Sequence, residues 1–560
     1  MNAAIQQLNN AFSLIAPEAV LLAAVCLIFF AAPFLVNERG EAPAGLRHRW
    51  GSLSLLALLI AGCVWWQSPP VTRTLGPFVL DELTWYIRGL TLTFGAILVL
   101  LHWNQADDAR SGESYACLLA ILAGVNLIAA SNDLVGLFVA LELVSMPTYL
   151  FLLLPRRDAP AQEATLKYFL LSIFSSAIVL FGMSYLYGAT GTTNLSGIHA
   201  AFSAAHIHPA NPDLAAVKPF LADANPLVAV ATVMLIAGLG FRLTAVPFHF
   251  YAPDVFQGAP TSAAAMLSFV PKIAGFVALL RLIVPATGAE QAISAWTMTP
   301  AATPLLWWLA VATMFVGNLM ALMQTDIRRL LAYSSVSHAG YMMVGLIVGM
   351  EHEIQKAGSN PVVHSVSGIG AMLFYLAVYG AMTLGAFAVL IAAARSDKRI
   401  ETFDDLSGLS RTRPALALLL AIFLFSLAGL PPTAGFLGKL NLFFAAWAQG
   451  DGSSFLHCLS ELPPTAGLFS KLNAIFEAWG RGEDSSKWLA VILAINAALG
   501  AWYYLKIIGV MFLREPINRS QQDTVSDTPS LIAAGLCLVG TLGLFFLPGW
   551  LWVPIQSIMP

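Results

Sequence analysis

Apolar positions along this 560-residue chain gather into long continuous runs, and polar positions collect in the short stretches between them. The runs do not alternate with period two, as the strands of a membrane barrel would. In lipid every backbone polar group must pair inside its own helix or a closed barrel, so apolar runs of roughly 20 residues predict membrane-spanning helices. About fourteen spans follow, near 13–36, 52–66, 78–102, 115–130, 132–154, 164–187, 226–257, 261–285, 304–323, 328–350, 365–394, 414–449, 488–513 and 530–553. The second is short. Two spans are interrupted by proline and glycine, in "GLGFRLTAVPFHFYAPDVFQGAP" and "LAGLPPTAGFLGK". Such breaks free backbone groups to meet an ion or a water chain, which makes paired interruptions a pointer to a transport site. The reading is an all-α polytopic membrane protein forming a single membrane domain over 1–560.

Composition agrees: apolar residues make up 58% of the chain and charged ones 11%, against about 25% charged in a soluble domain. Mean hydropathy is +0.74. The net charge of −3 gives no footing for nucleic acid, so the positions of the charges matter more than their sum. Lys and Arg fall in alternate loops. One set holds Arg39, Arg47, Arg49, Arg110, Arg156, Arg157, Arg328, Arg329, Arg395, Lys398, Arg399, Arg411, Arg413, Arg514 and Arg519; the other holds Arg73, Lys218, Lys356 and a duplicated region. By the positive-inside rule both termini are expected outside. No basic residue precedes the first apolar run, which argues against a cleaved signal peptide. The five cysteines are scattered singly, so neither an iron–sulfur nor a zinc site is expected in this chain.

The duplication is unusual. "GLPPTAGFLGKLNLFFAAWAQGDGSS" (429–454) returns as "ELPPTAGLFSKLNAIFEAWGRGEDSS" (461–486), each copy with one lysine, Lys439 and Lys471. The second copy is too charged and too short to span, and an odd extra crossing would invert the loop charges that follow. Residues 452–487 are therefore expected to be an outside-facing insertion, with Lys439 as the working lysine and Lys471 as a bystander.

An ionisable residue at the centre of a span costs about 2.5–3.5 kcal/mol on insertion scales, so each one calls for a reason. Glu142 is central in "LVGLFVALELVSMPTYLFLLL", and Lys272 directly follows Pro271 in "AAAMLSFVPKIAGFVALL". Both are too deep to reach water, which favours a proton or ion pathway over a structural pair. His338 lies nine residues past Arg329, roughly 13 Å into the bilayer, and reads equally as a pathway group or a hydrogen-bonded core group. Lys439 follows the second break and Arg242 precedes the first. Lys167, near the inner end of its span, reads as a snorkelling side chain or a pathway group.

Other chemistry is excluded by motif. Gly438-Lys439 is not a P-loop, because Thr433 stands at the first glycine position and Leu440 at the Ser/Thr position. No GxGxxG opens a helix after a strand, and no nucleophile–base triad is discernible.

The stretches "SNDLVGLFVALELVSMPTYL", "EATLKYFLLSIFSSAIVLFGMSYLYGATGTTNL", "PFHFYAPDVFQGAP", "GNLMALMQTDIRRLLAYSSVSHAGYMMVG", "GLPPTAGFLGK" and "WYYLKIIGVMFLRE" resemble the antiporter-like membrane subunits of proton-pumping NADH:quinone oxidoreductase (respiratory complex I). Among these, "PDVFQGAP" is similar to the subunit N branch. The resemblance covers about residues 131 to 515. It implies two inverted five-helix repeats, at 115–285 and 304–513, each with one broken helix, flanked by three N-terminal helices (1–103) and a C-terminal helix (530–553). It also implies a midplane proton path in which Glu142 pairs with a lysine-type partner, Lys272 is the central carrier and Lys439 faces the exit, with Lys167 and His338 matching further positions. NADH, FMN, iron–sulfur clusters and quinone belong in that family to partner subunits, membrane and peripheral, so this chain is expected to bind no cofactor itself and to sit, multi-pass, in the inner membrane of a bacterium. Two departures stand out. Arg242 replaces the usual lysine, and arginine does not release its proton; the duplicated segment is extra.

Three readings stay open: a proton-translocating subunit of a redox-driven pump, a cation/proton antiporter subunit of the same fold, and a non-pumping paralogue filling a slot in an assembly.

Overall fold

A computed structural model of the chain describes residues 14–37, 42–68, 72–156, 158–207, 226–283, 302–356, 368–394, 400–447, 484–515 and 527–558. Its α-helices of seven residues or more, in chain order, are α1 (Ala16–Ala31), α2 (Leu46–Gln67), α3 (Glu82–His102), α4 (Ser111–Ala130), α5 (Leu134–Leu153), α6 (Ala159–Thr190), α7 (Leu195–Ile207), α8 (Pro226–Leu243), α9 (Ala252–Gly258), α10 (Thr261–Ile283), α11 (Ala302–Leu322), α12 (Ile327–Lys356), α13 (Gly368–Ala393), α14 (Pro414–Ala428), α15 (Ala434–Trp447), α16 (Asp484–Leu513), α17 (Thr528–Phe546) and α18 (Gly549–Ile558). Thirteen of the described helices are long and apolar enough to cross a membrane. The shorter α14, 15 residues long, is continued past its break by α15, which accounts for the fourteenth predicted span.

Local sequence sets the helix ends. Asp81, Asp133 and Asp158 stand at the N-caps of α3, α5 and α6 and accept from backbone N–H groups of the first turn, which otherwise lack partners. Proline opens α1, α6, α9, α14 and α17, where its missing N–H costs nothing. The predicted short second span is a full 22 residues, because the polar start "LRHRW" is helical too. Among the elements without a counterpart in the sequence reading are α7, the terminal helix α18, and a hairpin of β1 (Arg73–Leu75) and β2 (Phe78–Leu80) paired antiparallel with Thr74 opposite Val79.

Loop contacts support the alternation of sides. On one face, single β-bridges join Phe78 to Ser131 and Asp133 to Asn194, tying the loops before α3, α5 and α7. On the other, Asp326 bridges Thr402, and Arg328 pairs with Glu401, Arg411 with Glu515 and Arg514 with Asp404. These contacts gather the loops that carry Arg328, Arg411 and Arg514 on one side. Lys471, Cys458 and most of the duplicated copy lie outside the described residues. Residues 484–487, expected to belong to the insertion, are instead the first turn of α16.

α10, α12 and α13 are enclosed on nearly all sides, as befits helices that are apolar all round. The outer helices turn side chains such as Phe30, Leu59 and Trp308 outward. Except for Lys167, the charges singled out in the sequence sit on these three helices or on helices packed against them.

Candidate functional site

The two interruptions are built alike. At the first, α8 closes with Thr244 N–H donating to the Phe241 carbonyl (3.0 Å) and Ala245 N–H to the Gly240 carbonyl (2.9 Å). At the second, α14 closes with Gly429 N–H donating to the Ser426 carbonyl and Leu430 N–H to the Phe425 carbonyl, both 3.0 Å. Each is the paired closure that ends a helix through one left-handed residue, here Thr244 (φ 57°) and Gly429 (φ 83°). Glycine adopts that conformation freely; for a β-branched threonine it is strained, by about 1–3 kcal/mol. Each closure leaves the last two carbonyls of its half-helix without a backbone partner. Both breaks also contain a cis prolyl bond, Val246–Pro247 and Pro431–Pro432.

Lys439 fills the open end of α14. Its Nζ lies 2.7 Å from the Leu427 carbonyl and 3.0 Å from that of Ala428, the two left open by the closure. This places a cation at the negative end of a helix dipole. Gly435 lets α15 approach so closely: a Cβ there would collide with the Ser426 carbonyl, and its N–H instead meets Ser426 Oγ at 3.1 Å. The Tyr341 ring lies beneath the ammonium, 5.2 Å away, a cation–π contact.

Lys272 approaches the open end of α8 through an intermediary. Its Nζ donates to Thr244 Oγ1 at 2.9 Å, and that hydroxyl donates to the Leu243 carbonyl at 2.5 Å. Lys272 is fully buried and Lys439 nearly so, and among the described residues neither has a carboxylate partner within ion-pair distance. Pro271, inside α10, removes one intrahelical bond just before Lys272.

Arg242, in the last turn of α8, meets Glu142 of α5 at 3.4 Å through Nη2, with Nη1 donating to Ser145 Oγ at 2.8 Å. The shorter contact to Glu142 comes from Ser176 Oγ, at 2.5 Å. Arg242 Nε has no hydrogen-bond partner among the described residues. The arginine is buried and the glutamate partly so. The pair is a loose one, with serines making the close contacts.

His338, on α12, stands between two tyrosine hydroxyls: Nδ1 is 2.6 Å from Tyr375 of α13 and Nε2 3.0 Å from Tyr504 of α16. Tyr504 in turn contacts Ser334. A neutral imidazole has one donor and one acceptor nitrogen, so this row of hydroxyls has a direction that a change of tautomer reverses. α12 packs against α10, α13 and α15, which puts His338 on the helix between those that carry Lys272 and Lys439. Behind it, Asn318 donates to Tyr341 Oη (3.0 Å) and accepts from Tyr503 Oη (3.1 Å).

Lys167 lies apart from this line. It pairs with Glu163 and Asp254, each at 2.7 Å, while Arg329 reaches the other Asp254 oxygen at 2.7 Å. Its side chain is 40% exposed, at the rim on the basic-loop side, so the snorkelling reading describes its position. Sequence reasoning missed Ser145, Ser176, Thr244, Tyr375 and Tyr504, which are ordinary residue types in apolar spans. Ser145, one helical turn from Glu142, was the only one with a spacing signal. It also passed over two buried ion pairs, Arg88 with Glu18 (2.7 Å) and Arg281 with Asp81 (2.6 Å). No group of three or more His, Cys, Asp or Glu able to hold a metal ion occurs among the described residues.

The family described as NADH:quinone oxidoreductase/Mrp antiporter, TM, matches residues 131–456. NADH-quinone oxidoreductase subunit N 1 of Solibacter usitatus (strain Ellin6076) is 33% identical over 540 residues, covering 95% of this chain and 94% of the relative. The protein of the same name from Koribacter versatilis (strain Ellin345) is 35% identical over 516 residues, covering 89% of this chain and 87% of its own. A chain of respiratory complex I from Thermus thermophilus, solved with bound Aureothin, superposes with a TM-score of 0.67 at 27% identity, covering 96% of this chain and 98% of that one.

Proposed function

The chain belongs to the NADH:quinone oxidoreductase/Mrp antiporter family of membrane subunits, and from that premise we propose that it is the proton-translocating subunit N of a bacterial NADH:quinone oxidoreductase. The observation that carries the proposal is the placement of Lys272 and Lys439: two buried lysines without carboxylate partners among the described residues, each at the open carbonyl end of a broken half-helix. A lysine so placed can hold a proton against neutral or dipolar partners and release it when the local field changes, because burial disfavours its charged form and a nearby opposite charge favours it.

The proton path runs from the Glu142–Arg242 pair through Lys272 and His338 to Lys439. Arg242 keeps its charge and acts on Glu142 electrostatically, passing no proton. Ser145, Ser176, Tyr375 and Tyr504 position the groups they touch. Lys167 belongs to the ion cluster at the rim, outside the line. The two alike breaks support reading 115–285 and 304–513 as inverted five-helix repeats. NADH oxidation, FMN, iron–sulfur clusters and quinone reduction belong to partner subunits, whose redox chemistry drives the path. The chain sits in the inner membrane with both termini outside, and the basic loops, gathered on one side, face inward.

A cation/proton antiporter subunit would share the fold. The relatives named as subunit N, at 33% and 35% identity over most of both chains, favour the first reading. The test is proton translocation by membranes carrying Lys272→Ala, measured beside their NADH:quinone activity. Loss of pumping is expected; pumping at the wild-type level would overturn the proposal.

A further inference from the structure

The two breaks differ at one chemical point. Both half-helices end in the same paired closure and leave the same two carbonyls open. At the second break the residue in the left-handed position is Gly429, and Lys439 docks on both carbonyls directly. At the first it is Thr244, whose hydroxyl occupies the Leu243 carbonyl and is the only hydrogen-bond partner recorded for Lys272 among the described residues. Glycine would make the same turn without strain, so the backbone alone gives no reason for a threonine.

We infer that Thr244 is a positioning residue for Lys272: its hydroxyl covers the end of α8 and holds the lysine one hydroxyl's length from the carbonyls, on a single hydrogen bond. Lys272 then remains a carrier that can leave its site, whereas Lys439 is capped by two main-chain acceptors. The strain at Thr244 is consistent with this, since unfavourable backbone at a working site is retained where the side chain it presents is needed. The inference rests on the reading of Lys272 as the central carrier.

Three substitutions in the full assembled complex test it, with proton translocation per NADH oxidised, NADH:quinone turnover and the amount of assembled complex all measured. Thr244→Ser keeps the hydroxyl and should pump close to the wild-type level. Thr244→Gly relieves the strain and so protects folding, but it uncovers the carbonyl and lets Lys272 dock as Lys439 does. Thr244→Ala removes the hydroxyl without relieving the turn. Both should slow pumping about tenfold, the order that one hydrogen bond to a charged group is worth, too tight a hold in the glycine variant and a lost one in the alanine variant, with assembly intact in the glycine variant. A glycine variant that pumps as well as wild type, or a serine variant as slow as alanine, would overturn the inference. Lys272→Ala, run in parallel, separates the two layers: if it pumps normally, the underlying reading of Lys272 fails instead.

Discussion

Among the described residues, two arginine–glutamate pairs lie within the apolar part of this molecule, and they are built oppositely. Arg88 and Glu18 are wholly buried and joined twice, Nε to Oε1 at 2.7 Å and Nη2 to Oε2 at 2.9 Å, with Nη2 also donating to the Leu14 carbonyl at 2.6 Å. Arg242 and Glu142 share one long contact of 3.4 Å, and the glutamate keeps some exposure. The first is a fork in which each side chain has found its best partner. The second leaves both partners with alternatives: Ser145 for the arginine and Ser176 for the glutamate. Charge in a membrane is therefore not by itself a mark of function. A saturated pair is a fastening between α1 and α3; an unsaturated one can rearrange.

The largest effect should follow from breaking the fastening. Arg88→Ala leaves Glu18 buried and unpaired, a change that costs about 3–5 kcal/mol, so the variant should accumulate poorly and melt early in detergent. Normal levels and melting would erase the distinction drawn here. Next comes the loose pair: Glu142→Gln should lower proton translocation about tenfold or more with normal assembly, whereas Glu18→Gln should lower assembly first. Arg242→Lys keeps the charge and should be tolerated or improve turnover, while Arg242→Ala should impair it; equal activity in all three versions would uncouple Arg242 from Glu142. The smallest effect is expected at the exposed rim. Lys167→Ala removes partly solvated contacts worth less than about 1 kcal/mol and should leave pumping near wild type, measured in the same vesicles.

Much of this architecture was legible because lipid is a demanding solvent. It requires about 20 apolar residues per crossing, so spans could be counted from the runs, and Pro247, Pro431 and Pro432 located the breaks. The polar start of α2 hid its length, since Arg47, His48 and Arg49 read as loop. The 13-residue α7 is too short to signal a crossing. In the site, isolated charges announced themselves and their partners did not. A serine, threonine or tyrosine in an apolar span has no pattern of its own, and only the approach of α5, α6 and α8, or of α12, α13 and α16, shows which ones meet a charge. Glu18 escaped notice because it opens α1, where an acidic residue ordinarily faces the headgroups; the tertiary approach of α3 encloses it.

The counter-charge that Lys439 finds at the end of α14 belongs to the main chain, and this has a consequence for genetics. Side-chain replacement can delete the lysine, but no replacement at Leu427 or Ala428 removes their carbonyl oxygens. Among the described residues, a survey of the acidic ones would search in vain for the group that balances this cation. What can be altered is where the helix stops: a substitution at Gly429 that displaced the left-handed turn would move both oxygens together, and would read in a mutant screen as a lost anion at a position that never carried one.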